Sequence, residues 1–296
     1  MTNPSPRNVC AVITSYNPDD GFKARVSLVA QQVQAVLIVD NGSRVDRQLA
    51  IMAAGTIPNV SLLCNDANRG IAAALNQGAQ WAGQKGYLGV VFFDQDSRVS
   101  EQVLPTLLQV WGQFQPSDPI ALIGSNFRNV ESGKWYAGVA AQAGTWHDTD
   151  VVLTSGSLLP LSSYRAIGPF REEFFIDSVD IEYCFRARAK GYRIIQSLQP
   201  TMEHSAGHPT PHRFFGRTVW AVNHNPQRCY YMTRNPIVLA REYAFSHPRW
   251  ALGTLAGLTK WMLKLVCFED NRVTKLRFIG SGVAHGLTNT FVNPRL

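Results

Sequence analysis

Two aspartates stand two residues apart in Leu88-Gly89-Val90-Val91-Phe92-Phe93-Asp94-Gln95-Asp96-Ser97. Alternate side chains of a strand share a face, so strand geometry carried through this stretch would aim Asp94 and Asp96 the same way. Two carboxylates held together suit a hard divalent cation that also touches phosphate oxygens. The same residues also fit a solvated turn, since Asp and Ser are ordinary turn residues. A second acidic group, Asp177, Asp180 and Glu182, comes much later. Asp180 and Glu182 at i, i+2 cannot share a helix face, so they have separate jobs. An acidic helix N-terminus answering the helix dipole would account for their charge. It would leave the apolar Phe174-Phe175-Ile176 lead-in unexplained, whereas a base needs such a lead-in to desolvate its carboxylate.

These residues need a frame. The apolar run before Asp94 reads as a strand buried on both faces, as in a parallel sheet covered by helices. Val9–Thr14, Ala35–Val39 and Val60–Cys64 read as its neighbours, and they end in Ser15-Tyr16-Asn17-Pro18, in Asp40-Asn41-Gly42-Ser43, and in a loop with Asn65, Asn68, Arg69 and Gly70. Between them the sequence predicts helices from an Asp19 or Asp20 cap to Gln32, over Val45–Ala54 and over Ile71–Gln84. Further on come a helix near Glu101–Phe114, strands at Ile120–Gly124, Val151–Leu153 and Tyr192–Ser197, and helices at Ser162–Ile167 and Ser178–Lys190. This alternation is the pattern of βαβ units. Residues 126–150 lose the period and suggest an irregular excursion or a hairpin turning at Ser132-Gly133.

In such a sheet the four loops after the first four strands lie on one edge, at the carboxyl ends, where open α/β folds place ligands. Asp40 can take an N–H from a nucleobase, Gly42 lets the backbone come close to a ligand, and Arg69 can meet phosphate. Together with Asp94 and Asp96 they describe a site for a nucleoside diphosphate and a metal. No G-x-G-x-x-G follows the first strand and no G-x-x-x-x-G-K-[ST] occurs, which excludes the dinucleotide and P-loop fingerprints. Ser155-Gly156-Ser157 lacks the leading glycine of a nucleophile elbow.

The chain has 296 residues, 45% apolar and 17% charged, as expected of a folded domain or two. Its five cysteines are odd in number and scattered, which argues against disulfides or structural zinc and for a reducing compartment. The polar, Pro-rich Met1–Arg7 reads as no secretory leader, and no run of 18 apolar residues predicts a transmembrane helix. The net charge of +7 is uneven: residues 1–204 hold 16 Lys/Arg against 18 Asp/Glu, and residues 205–296 hold 12 against 3. The basic end points to an anionic partner. No nucleic-acid-binding motif accompanies it.

After Pro200 the alternation stops. His204, His208 and His212 are four residues apart, but Pro209 and Pro211 break any helix through them, so His208 and His212 read as loop histidines. Arg228–Tyr243 reads as a helix with Pro236 as its kink or start. Trp250–Phe268 is mostly apolar but carries Gly253, Gly257, Lys260 and Lys264. It fits an in-plane interfacial helix and a helix packed on the domain core equally well.

Val12-Ile13-Thr14-Ser15-Tyr16-Asn17, Val39-Asp40-Asn41-Gly42-Ser43, Asn68-Arg69-Gly70 with Ala72-Ala73-Ala74-Leu75-Asn76, Asp94-Gln95-Asp96-Ser97 and the stretch 174–186 resemble, in this order, the family-2 glycosyltransferases. Among these the chain looks most like bacterial rhamnosyltransferases that build lipopolysaccharide core or O-antigen, and the likeness covers residues 9–245. The resemblance implies an α/β GT-A fold with a mostly parallel, Rossmann-like sheet, helices on both faces and a helical basic C-terminal region. It divides the chain into a donor-binding core, 1–204, and an acceptor-side or membrane-proximal part, 205–296. By this likeness Thr14, Tyr16, Asn17, Asp40, Asn41 and Gly42 line the base and ribose pocket, and Asn68, Arg69 and Gly70 meet base or diphosphate. Asp94, Gln95 and Asp96 match the DxD motif, whose acids hold Mg²⁺ or Mn²⁺, and His204 resembles a histidine that completes the metal shell. Asp180 falls at the family's catalytic base, although Val179 replaces the usual preceding Glu, which keeps Asp177 open as the base. Thr154-Ser155-Gly156, Glu182 and the Y-Y-x-x-R-N stretch containing Tyr231, Arg234 and Asn235 fall on the acceptor side.

The expected partners are a nucleotide-sugar donor, dTDP-rhamnose by the resemblance, and a glycan or glycolipid acceptor, with no nucleic acid. The expected place is the cytoplasm, with peripheral contact to the inner face of the inner membrane. A UDP-hexose or UDP-N-acetylhexosamine donor, and a non-catalytic binder of nucleotide sugars or polyanions, stay open alternatives.

Overall fold

The computed structural model describes residues 4–130, 133–139, 144–204, 210–214 and 217–294. In chain order the first elements are β1 (Val9–Ser15), α1 (Phe22–Ala30), β2 (Val36–Asp40), α2 (Val45–Gly55), β3 (Val60–Cys64), α3 (Ile71–Gln84) and β4 (Gly89–Asp94). They are followed by β5 (Arg98–Val99), α4 (Val103–Trp111), β6 (Ile120–Asn129), β7 (Trp146–Thr149), β8 (Ser157–Pro160), α5 (Leu161–Ile167), α6 (Val179–Ala189) and β9 (Arg193–His204). The chain ends with β10 (Thr210–Phe214), β11 (Arg217–Ala221), α7 (Pro226–Tyr243), α8 (Pro248–Phe268) and α9 (Arg272–Thr288). Two compact units result: residues 1–172 with 180–205, and residues 173–179 with 206–296.

The first unit is built on one sheet of order β3-β2-β1-β4-β8-β6-β9-β5, with β7 also on β9. β1, β2, β3 and β4 run parallel, whereas β8 enters antiparallel between β4 and β6. Alternation explains why the strands carry no polar face. Val9, Ala11, Ile13, Val91 and Phe93 pack with Phe22, Val26 and Val29 of α1 and with Leu104, Leu107 and Val110 of α4. On the other side Phe92 meets Phe170 edge-on, and Phe170 lies 4.4 Å from the Tyr183 ring of α6. The alanine-rich α3 lies close on β1: a Cβ on Gly78 would stand 2.4 Å from Val12.

Several expectations are corrected. α1 has Gly21 as its N-cap with no side-chain cap, because Asp19 accepts from Gly21 N and pairs with Arg25. Val151–Leu153 is not a strand; Val152 is a plug, packed against Gly124 while its carbonyl accepts from Cys184 Sγ. The antiparallel strand there is β8. β6 and β9 run past the expected Gly124 and Ser197 to Asn129 and His204. A turn closes with Gly133 N on Asn129 O and Asn129 N on Lys134 O; Ser132 lies outside the described residues. All five cysteines are free thiols.

The second unit holds the β10–β11 hairpin and three helices. α7 starts under a side-chain cap, Asn225 Oδ1 accepting from Arg228 N at 2.7 Å, with Pro226 in the first turn. α9, which sequence periodicity does not announce, packs closely on α7: Cβ atoms on Gly282 and Gly286 would stand 2.8 Å from Tyr230 O and 2.9 Å from Ile237. Leu265 of α8 completes a small core with Cys229 and Ile279. Lys275 and Glu269, both almost fully buried, pair at 2.8 Å. α8 is 21 residues long and an 18-residue window of it averages a hydropathy of 1.3, so by length and composition alone it is apolar enough to cross a bilayer, although no unbroken run of 18 apolar residues occurs in it. His212 lies on β10, its ring 5.3 Å from Phe268, and His208 lies outside the described residues.

Candidate active site

The carboxyl ends of β1, β2 and β4 adjoin. Ser15 pairs with Asp40 across β1–β2, and Thr14 pairs with both Val39 and Asp94. Asp40 is 3% exposed and heavily engaged. Its Oδ1 accepts from Ser15 Oγ at 2.9 Å and Ser43 Oγ at 2.5 Å, and its Oδ2 accepts from Ser43 N at 3.0 Å. Asn41 joins the next loop: its Nδ2 donates to Gly70 O and its Oδ1 accepts from Asn65 Nδ2, both at 3.0 Å. Gly42 needs to be glycine, because its φ is +74° and a Cβ would lie 2.8 Å from the Ala67 backbone. Asn17 donates its N–H to Ser43 Oγ and accepts Arg44 N on Oδ1. Asn68 Oδ1 accepts from Gly70 N, and Asn68 and Arg69 stand exposed at the rim.

The Asp94–Asp96 loop is braced on two sides. Gln95 Oε1 accepts from Tyr16 N at 2.7 Å, Gln95 Nε2 donates to Tyr16 O at 3.2 Å, and Arg25 Nε donates to Gln95 O at 2.7 Å. On the other side Ser155 Oγ accepts from Asp94 N at 3.1 Å and meets Ser97 Oγ at 2.7 Å. Gly156, with φ +77°, donates its N–H to Phe92 O and accepts Ser125 Oγ, while Thr154, largely buried, closes the turn onto Ser157 N. Ser155 therefore abuts the Asp94–Ser97 turn, closed by Ser97 N on Asp94 O; β4 ends at Asp94, so Asp96 stands in that turn rather than on a continued strand, as the sequence reading's alternative had it. Asp94 is partly buried and Asp96 exposed. β5 returns onto β9 with Arg98 opposite Glu203, and the His204 main chain pairs with Asn129 of β6. The His204 side chain lies outside the described residues. Among the described residues no group of three or more His, Cys, Asp or Glu forms a metal cage. Asp94 and Asp96 supply two hard oxygen donors beside an open rim, a donor set that suits a divalent cation whose remaining ligands come from phosphate.

The later acids are separated by the fold. Asp180 opens α6, half-buried, with Oδ1 accepting from Ile181 N at 2.9 Å. Desolvation, and then the charge of Asp180, raise the pKa of Tyr136, whose ring stacks on Phe127 of β6 at 4.7 Å. Glu182, 1% exposed, is instead gripped by Arg186 at 2.8 and 3.0 Å, and that arginine also holds the carbonyls of Ile167 and Pro169. Glu182 thus braces α6.

Asp177 belongs to the second unit, where Arg228 Nε and Nη2 donate to its carboxylate at 3.2 and 3.0 Å. The sequence reading missed Arg228, which lies 51 residues away and carries no local signal. Phe175, Asp177 and Ser178 all have φ near +62°, an uncommon run for side chains with a Cβ. Two buried residues of α7 hold this loop. Asn235 Nδ2 donates to the carbonyls of Phe174, Ile176 and Asp177 at 2.8–2.9 Å. Arg234 donates to Glu173 O and Phe174 O, with Tyr230, Tyr231 and Phe291 rings about its guanidinium at 5.0–5.2 Å. Tyr231 stacks on Phe175 at 4.9 Å, and its hydroxyl donates to Asn293 Oδ1. Tyr231, Arg234 and Asn235 are therefore supports for the 173–177 loop.

Asn235→Ala is expected to destabilise the second unit by about 2–4 kcal/mol, because each buried carbonyl left without a donor costs about 1–3 kcal/mol. Urea unfolding followed by tryptophan fluorescence checks this. A loss below about 1 kcal/mol would mean that water replaces the amide.

The profile described as Glycosyl transferase family 2 matches residues 10–158, half of the chain. The dTDP-rhamnosyl transferase RfbF of Shigella flexneri is 28% identical over 253 residues, covering 79% of this chain and 80% of its own. The mannosyltransferase PcManGT from Pyrobaculum calidifontis, solved with GDP-Man and Mn²⁺, superposes with a TM-score of 0.54 at 16% identity, over 99% of this chain and 78% of that one. GalNAc-T7, solved with UDP, GalNAc and Mn²⁺, superposes with a TM-score of 0.56 at 13% identity over 97% of this chain. The match covers 58% of that chain, so this protein spans little more than half of its length. At these identities the likeness is one of fold: a GT-A-like α/β fold with a mixed, mostly parallel sheet and C-terminal helices.

Proposed function

Because the chain belongs to glycosyl transferase family 2, we propose that it moves L-rhamnose from dTDP-β-L-rhamnose to a hydroxyl of a glycan or glycolipid acceptor, with inversion at the anomeric carbon. One observation carries the reading of the site. The buried Asp40 and the Asp94–Ser97 turn stand on one sheet edge, linked through the end of β1, where Ser15 bonds Asp40 and Tyr16 bonds Gln95. The choice of rhamnose is supported by the Shigella relative.

In this reading Asp40 faces the pyrimidine, and Asn68 and Arg69 flank base or diphosphate. Asp94 and Asp96, with His204, are the residues that would hold Mg²⁺ or Mn²⁺. Such a cation, when bound, offsets the charge that develops on a leaving nucleoside diphosphate. Asp180 takes the proton of the acceptor hydroxyl. That oxygen attacks the anomeric carbon from the face opposite the diphosphate, the carbon–oxygen bond to the diphosphate breaks, and an α-L-rhamnoside and dTDP leave. Asp180 is preferred to Asp177 as the base because it falls at the family's base position; the Asp177 carboxylate pairs with Arg228 in the second unit.

Incubation with dTDP-rhamnose, UDP-glucose or UDP-N-acetylglucosamine, each with divalent metal and a mixed glycan acceptor, tests the reading. Consumption of dTDP-rhamnose alone, giving an α-linked product by NMR, is expected. Turnover of a UDP sugar instead would reassign the donor, and tight nucleotide binding without consumption of any donor would make the protein a binder.

A further inference from the structure

α8 carries one buried apolar stripe and, beside it, a second that is exposed. Ala251 and Leu265 are buried, and Leu265 packs with Cys229 and Ile279. About 100° round the helix from these, Leu252, Leu255, Leu263 and Val266 are 69%, 47%, 65% and 43% exposed. At 3.6 residues per turn these four fall within an arc of about 80°. Arg249, Lys260 and Lys264 line one border of that stripe by the same spacing. A helix needs a single apolar stripe to hold a core, so the second one calls for another apolar phase.

We propose that α8 lies in the plane of an anionic membrane surface, its outer stripe at the acyl boundary and its cations among the headgroups. Charge selects the occupant. Residues 205–296 carry 12 Lys/Arg against 3 Asp/Glu, which favours an anionic bilayer and opposes a second copy of the same basic face. Depth selects the mode. Lys260 and Lys264 lie well inside the helix, and Ala251 and Leu265 stay engaged with the helix's own unit, so α8 lies in the interface and does not cross it.

The full chain is to be sedimented with vesicles of phosphatidylethanolamine and phosphatidylglycerol, and with vesicles of phosphatidylcholine. Binding to the anionic vesicles is expected to be at least about tenfold tighter, since each cation near such a surface contributes about fivefold. Leu252→Glu with Leu263→Glu should weaken binding about a hundredfold while melting temperature and nucleotide affinity stay unchanged, because both positions face solvent. The proposal falls if the wild-type chain ignores anionic vesicles or if the double variant binds as before. It falls equally if the bound protein resists alkaline carbonate extraction, which would make α8 a span, or if the double variant dissolves a dimer formed in solution, which would make a second copy the occupant.

Discussion

Asp180→Asn is expected to slow glycosyl transfer by about 10³-fold, within the range a general base contributes, while nucleotide affinity remains within about twofold. Asparagine keeps the shape and one oxygen of the side chain, so the hydrogen bond from Ile181 N can persist. It cannot accept the proton that an attacking hydroxyl gives up. The proposed donor-pocket residues stand at the ends of β1, β2 and β4, whereas Asp180 stands in the first turn of α6, which is why binding should survive. Single-turnover transfer and calorimetric titration with dTDP separate the two effects. Full activity in this variant together with a dead Asp177→Asn would move the base to Asp177. That companion variant also loses its charge pairing with Arg228, so its melting temperature must be measured beside its rate.

The other large effect concerns metal. Asp96→Asn should lower transfer by more than about a hundredfold, on the several kcal/mol that a Lewis acid lends to a departing diphosphate. Chelation by EDTA should silence the wild-type protein, and added Mn²⁺ or Mg²⁺ should restore it. Asp96 is exposed, so the fold should tolerate the change. Asp94 is a poorer site for this test, because its own loop is laced to Ser155 and any shift there has two readings. Undiminished turnover after exhaustive chelation would remove the metal from the mechanism and leave Arg69 and the loop amides as the candidates for offsetting the diphosphate charge.

Much of the donor half was legible from sequence because its rules are local. A mainly apolar run that ends in a polar loop announces a parallel strand and the edge it points to; β1 to β4 each do so, β2 and β4 with an acid at the end. The remainder depends on contacts that pair distant positions. Val151–Leu153 looks like a strand, yet Val152 serves as a plug over Gly124, and the neighbouring Ser157–Pro160 joins the sheet. α9 contains Gly280, Gly282 and Gly286, a poor helix by propensity, and closeness to α7 makes it a helix. Tyr231, Arg234 and Asn235 signalled importance by type and spacing, but their work is to hold the backbone of residues 173–177 across about sixty positions of chain, which no periodicity reports.

The wiring of Asp40 bears on which bases the protein can accept. Three donors from its own chain already occupy the carboxylate, two on Oδ1 and one on Oδ2. A carboxylate oxygen has two lone pairs, so Oδ2 retains one outlet, and that outlet can only receive hydrogen. If Asp40 faces the base as proposed, thymine and uracil would present a ring N3–H there, whereas cytosine would present a lone pair and be repelled. On the proposed reading, two serine hydroxyls beside a buried acid would turn a charged group into a filter for protonation on a heterocycle, one that would admit dTDP and UDP sugars alike.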